Sequence, residues 1–170
     1  MYTVNTTIDQ VIETLRLFII PFIPNGKVYR TQVNRVPMPI DPFVILTELF
    51  EIDLDIPYED YSNTVDTTSL IINGPTQIDI QIDFYGNNSG DYCRAVKNAF
   101  RTSWGFNKFP SNIKPLYMSK GIQTPLLARE QQWENRWTTT ASLQYNPIIE
   151  VSQSFASSNI SISNIKKADT

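Results

Sequence analysis

Gln77-Ile78-Asp79-Ile80-Gln81-Ile82-Asp83-Phe84-Tyr85 is the stretch on which the fold turns. Ile78, Ile80, Ile82 and Phe84 alternate with Gln77, Asp79, Gln81 and Asp83, the period-two pattern of a strand with one buried and one wet face. Gly86, Asn87 and Asn88 end it. The alternation returns over 131–145, with Trp133, Trp137, Ala141, Leu143 and Tyr145 on one side and Glu134, Arg136, Thr138 and Thr140 on the other. Two well-separated strands of this kind favour a one-sided antiparallel sheet, because a parallel sheet covered on both faces reads as continuous apolar runs.

Upstream of that strand, residues 7 to about 20 read as an amphipathic helix. Ile8, Val11, Ile12, Leu15, Phe18 and Ile19 recur at helical spacing, and Thr7 with Gln10 fits a capping box. Pro21, Pro24 and Asn25-Gly26 stop it. Residues 27–56 read as extended, with Pro37, Pro39 and Pro42 forbidding helix across their centre and Val28 to Val33 and Phe43 to Asp55 as the strand candidates. Residues 57–66 read as a polar, acidic loop, and Ser69 to Ile72 as a short strand before Asn73-Gly74-Pro75.

Downstream, Ser89 and Asp91 mark the start of a second helix. Its apolar side carries Tyr92, Cys93, Val96 and Phe100, while Arg94, Lys97 and Arg101 line another face. Strands are expected at Leu116 to Ser119, Ile148 to Phe155 and Ile160 to Ile165. The order is helix, strands, helix, strands. It predicts one α+β domain over 1–165, with a mostly antiparallel sheet, two main helices packed on one face, and a frayed tail at 166–170.

Composition narrows the function. The chain has 170 residues, 41% of them hydrophobic and 18% charged, ordinary for one globular domain. It contains no histidine and one cysteine, Cys93. No Ser-His-Asp triad, Cys-His dyad, His-ligated metal or internal disulfide can exist in it. The longest apolar run, Leu17 to Ile23, is broken by Pro21 and falls short of a membrane span. MYTVNTTIDQ lacks the basic start of a signal peptide, so the reading is a soluble protein made in a reducing compartment.

Charge is segregated behind the net value of -3. Residues 36–93 hold no base and eleven acids: Asp41, Glu48, Glu51, Asp53, Asp55, Glu59, Asp60, Asp66, Asp79, Asp83 and Asp91. Residues 94–136 hold eight bases against Glu130 and Glu134. Either the blocks are neighbours that compensate within one fold, or they lie on opposite flanks and let copies associate head to tail. The acidic block argues against phosphate binding as the main task.

Tests for chemistry find little. Asp79 and Asp83 stand about 13 Å apart along one strand face, too far to share a proton or a metal ion. A third acid such as Glu130 or Glu134 would be needed for a Mg²⁺ nuclease site, and no spacing supplies it. The run Asp83 to Asp91 lacks the ligand order and closing glutamate of a calcium loop. Trp133 and Trp137 could stack single-stranded bases, although core packing accounts for large aromatics on a half-buried strand.

The residues do resemble a family. Val33-Asn34-Arg35-Val36-Pro37-Met38-Pro39 is similar to the Asn-Arg-Val-Pro-x-Pro segment of the bacteriophage neck or tail terminator proteins, and Gln81 to Gly86 to their strand ending in Asp-Phe-Tyr-Gly. Pro115 to Ser119, Pro125-Leu126, Gln132, Arg136, Gln144-Tyr145-Asn146 and Val151 to Phe155 fit the same order. The resemblance implies a structural virion protein of the tail–neck junction, assembled in the host cytoplasm, with no cofactor and no reaction. It implies a ring of copies, hexameric in that family, that caps the tail tube protein, stops tube polymerisation and meets the head–neck connector proteins, while DNA passes through the lumen. On that reading Arg35, Arg94, Lys97 and Arg101 are interface candidates. Asp79 and Asp83, or acids within 48–60, are lumen candidates whose repulsion keeps DNA from sticking. A head-completion or adaptor subunit is the alternative, and a metal-dependent nuclease a third.

Overall fold

Thr7 caps the first helix as its spacing to Gln10 dictates. The Thr7 hydroxyl accepts from the Gln10 amide, and the Gln10 side chain accepts from the Thr7 amide. The computed structural model describes residues 2–31, 42–63, 68–127 and 133–153. The chain runs β1 (Tyr2–Val4), α1 (Ile8–Ile19), two 3-10 turns (Ile20–Phe22, Pro24–Gly26), β2 (Val28–Arg30), β3 (Phe43–Asp53), β4 (Tyr58–Asn63), β5 (Thr68–Asn73) and β6 (Thr76–Tyr85). It continues through α2 (Ser89–Phe100), α3 (Ser103–Phe106), β7 (Ile113–Met118), β8 (Ile122–Gln123), β9 (Leu126–Leu127), β10 (Trp133–Glu134), β11 (Arg136–Tyr145) and β12 (Ile148–Gln153).

The main sheet has the order β2-β3-β6-β11-β7, with β8 also paired to β11. Every pairing in it is antiparallel except β2 with β3, so the fold is α+β with an antiparallel-dominated sheet. Both helices cover one face. Val11, Leu15, Phe18 and Ile19 of α1 and Cys93, Val96 and Phe100 of α2 join one core with Val44, Leu46, Ile78, Ile80, Ile82, Phe84, Ala141 and Leu143 of the sheet. Phe18 meets the Phe100 ring at 5.8 Å, nearly edge-on. At roughly 1.5–3 kcal/mol per buried large apolar side chain, this layer is the main source of stability. Gly86 ends β6 with φ of 106, and a Cβ there would stand 3.1 Å from Pro42, so only glycine turns the chain there without strain.

A second sheet, ordered β1-β12-β5-β4, extends the first as an arm. Three strands cross from sheet to arm, and each breaks at a proline: Pro57 before β4, Pro75 before β6 and Pro147 before β12. Proline donates nothing to a ladder. The three breaks lie side by side, since Leu54 donates to the Pro75 carbonyl, Gly74 donates to the Pro147 carbonyl, and Pro57 packs on Gly74. The proline seam separates body from arm.

Three expectations need correction. Residues 58–63 form a strand, not a loop, because β5 supplies an antiparallel partner in full register. The strand at 76–85 has no wet face, for Asp79 and Asp83 are only 7% and 3% exposed. They stand on a central strand flanked on both sides, with long polar neighbours folded over them. Ser89 does not cap α2. Its hydroxyl donates to the Asn135 carbonyl instead, and Asn88, the capping residue, makes no side-chain cap bond. The strand expected at Ile160 to Ile165 and the frayed tail lie outside the described residues. Among the described residues, no helix is long and apolar enough to cross a membrane.

Candidate assembly surfaces

On the face of the main sheet away from the helices, β6 and β11 are polar, while β3 sets Ile45 beside Asp83 and Phe50 beside Asp79 and β7 sets Tyr117 beside Ser142. Registers place Asp83 beside Thr138, Gln81 beside Thr140 and Asp79 beside Ser142. Asp83 is closely held there. It accepts from Arg136 Nε at 3.1 Å and Nη2 at 2.9 Å, from Thr138 Oγ1 at 2.6 Å and from Gln81 Nε2 at 2.8 Å. The same guanidinium lies 5.7 Å from the Tyr85 ring, and Tyr85 stacks on Phe43 at 4.5 Å. Burial pushes the Tyr85 phenol above its ordinary range, an effect Arg136 opposes. Asp79 has a leaner shell, with Gln77 Nε2 donating at 2.9 Å and no ion pair among the described residues. Neither aspartate lies beneath α2.

Arg94, Lys97 and Arg101 project from α2 on the outer side of the helix layer. Arg94 reaches Asp91 at 3.4 Å, with both side chains more than two-thirds exposed, a contact of little energetic weight. Among the described residues Lys97 and Arg101 make no ion pair. Behind them Cys93 is buried, and desolvation pushes its thiol up against the pull of Lys97 and Arg94. It is a small apolar core residue, not a reactive site. Arg35 lies outside the described residues.

Sequence reasoning missed a neighbouring surface. Trp104 and Phe106 on α3 stay about half exposed, with Lys108 Nζ 5.2 Å from the Trp104 ring and Lys114 Nζ 4.4 Å from the Phe106 ring. Together with α1 they border a groove of about 440 Å³ lined by Thr14, Leu17, Phe18, Pro21, Trp104, Lys108 and Pro110. The signal was in the sequence: residues 94–127 hold six bases and no acid, interleaved with aromatics that a core would not leave outside.

The acids weighed for a Mg²⁺ site are not brought together among the described residues. No three metal-ligating side chains cluster among the described residues, Glu130 is outside them, and Glu134 sits in β10. Trp137 packs on the core, against Gly90 and Gly121, and the chain breaks at Asn135 between it and Trp133, so the two do not share one continuous strand. The body carries basic and aromatic outer faces and the arm is acidic, a charge pattern suited to contacts with other proteins. A family model described as phage neck terminator protein matches residues 6–168. Among curated proteins, none matches.

Proposed function

The chain belongs to the phage neck terminator protein family, and from that premise we propose that it caps the finished tail tube as a ring, stops tube polymerisation and joins the tail to the head–neck complex. The match over nearly the whole chain carries this reading. It makes the protein a structural component of the virion, in contact with other head or tail proteins. The ring is built from copies, six as in the resemblance, that meet through unlike surfaces. Arg94, Lys97 and Arg101 of one copy approach an acidic surface of the next; Arg35, a further interface candidate from the resemblance, lies outside the described residues.

In this reading the β6–β11 side of the sheet away from the helices is turned toward the lumen, with Asp79 and Asp83 beneath its surface and not lining it directly. Supporting it is the side of the sheet they occupy, opposite the helices. Of the two, Asp79 carries the charge that passing DNA would feel, since Arg136 answers that of Asp83.

Electron microscopy of particles made when the gene is silenced tests the proposal. Overlong or ragged tubes beside filled, tailless heads are expected. Tails of uniform, normal length lying free of heads would make the protein a neck adaptor instead. Fully normal particles would remove it from the joint.

A further inference from the structure

One face of the arm sheet is apolar, and among the described residues it is nowhere fully buried. Cross-strand partners share a face, so Val4, Ile149, Ile72 and Glu59 form one row on it. Tyr2, Val151, Leu70 and Tyr61 form the next. Seven of these eight positions are apolar or aromatic. The opposite face is mixed: it carries Thr3, Asp60, Ser62, Ser69, Asn73, Glu150 and Ser152 together with Tyr58, Ile71 and Ile148. None of the described side chains of β1, β4, β5 or β12 is buried, and Tyr2 and Tyr61 are 71% and 53% exposed. A sheet needs one face packed to be stable, and contiguous exposed apolar rows mark an interaction surface.

Charge identifies the cover. The arm sheet holds the acids Glu59, Asp60 and Glu150 and no described base; Glu59 lies on the apolar face itself, and Glu51, Asp53 and Asp55 stand at its root. The groove between α1 and α3 is the complement. It is apolar at Leu17 and Trp104, both more than half exposed, and edged by Lys108 with Lys114 beyond. Among the described residues neither the apolar rows nor the groove is fully covered within one copy. We infer that the apolar face of the arm docks into the α1–α3 groove of a second copy of this chain, Tyr61 and Leu70 against Leu17 and Trp104, with Lys108 beside Glu59. Such a contact is heterologous and so propagates around a ring. This inference rests on the ring reading and supplies its contact.

The test uses full-length proteins on purified tail tubes. Tyr61→Cys protein and a mass-tagged Leu17→Cys protein are mixed on the tubes under mild oxidation; native Cys93 is buried. Mixed-mass disulfide dimers are expected, and adding Leu70→Lys to the first protein should abolish them while leaving its circular dichroism intact. Dimers of the Tyr61→Cys protein with itself would show arms stacking face to face and overturn the inference. Closure within one chain of the double variant, in dilute monomer, would show that a copy covers its own arm and overturn it equally. Rings seen by microscopy without any mixed dimer would reject the docking and leave the ring standing. Tubes that bind no ring of wild-type protein would reject the ring reading itself.

Discussion

Arg136 and Asp83 hold each other across neighbouring strands, with guanidinium Nε and Nη2 both directed at one carboxylate oxygen, at 3.1 and 2.9 Å. The Asp83 side chain is 4% exposed and that of Arg136 23%, so the pair sits in a medium that penalises a lone charge. Breaking a buried pair by removing one partner costs about 3–5 kcal/mol. Arg136→Ala is expected at the low end, about 3 kcal/mol, because Thr138 and Gln81 still donate to the carboxylate. Asp83→Asn strands no anion and should cost less. Urea unfolding of the two variants gives the comparison. Equal losses would mean that the carboxylate's charge is not what Arg136 stabilises.

Gly105 lets α3 fold back onto the end of α2. A Cβ at that position would lie 2.1 Å from the Ala99 carbonyl oxygen, a backbone atom that cannot swing aside. Gly105→Ala is therefore expected to destabilise by about 2 kcal/mol, in the range of core overpacking. Gly74→Ala is the control, since its Cβ would meet Pro57 at an ordinary 3.6 Å. Thermal denaturation should separate the two clearly.

Tyr145 predicts the alkaline limit of stability. Burial pushes its phenol well above the ordinary tyrosine range, and the nearby Glu51 carboxylate, which accepts a hydrogen bond from the Tyr145 hydroxyl, adds to the effect. A folded-state value above the unfolded one favours the native state while both forms are protonated. That contribution is complete below pH 10 and is lost as pH rises above it, because the unfolded chain releases the proton first. Stability should decline above pH 10, and Tyr145→Phe should flatten the decline while lowering stability at neutral pH. Ultraviolet titration of the tyrosines against urea midpoints measures both.

Most of the body was legible because its elements announce themselves locally. The apolar spacing from Ile8 to Ile19, the Thr7–Gln10 box and the alternation of Ile78 to Phe84 each fix an element without knowledge of its neighbours. The arm was not legible in that way. Tyr58 to Asn63 reads as an acidic loop, and only pairing with Thr68 to Asn73 makes it a strand. Its apolar face appears once β1, from the other end of the chain, is set beside β12. The basic face of α2 could be read from i, i+3, i+7 spacing, but not the burial of Asp79 and Asp83, which depends on Arg136, Gln77 and Gln81 closing over them. Local pattern carries local structure; shared surfaces need the tertiary register.

Arg94 and Lys97 offer the cleanest separation of assembly from folding. Both point outward from α2, and the one ion pair between them and the rest of the described protein, Arg94 with Asp91, is long and exposed. Exposed pairs of this kind contribute about 0–1 kcal/mol. The double reversal Arg94→Glu with Lys97→Glu therefore should leave the unfolding midpoint nearly where it was. It moves the net charge four units more negative and turns a basic surface acidic opposite a neighbour's acids. Like-charge juxtaposition at an interface costs several kcal/mol, enough to abolish ring formation on tail tubes. Wild-type assembly should also weaken as salt shortens the Debye length toward ~3 Å at 1 M. Native mass spectrometry of capped tube ends, across a salt series, reads both effects. Rings of unchanged number and salt dependence in the double variant would remove α2 from the interface and leave the contact to the arm.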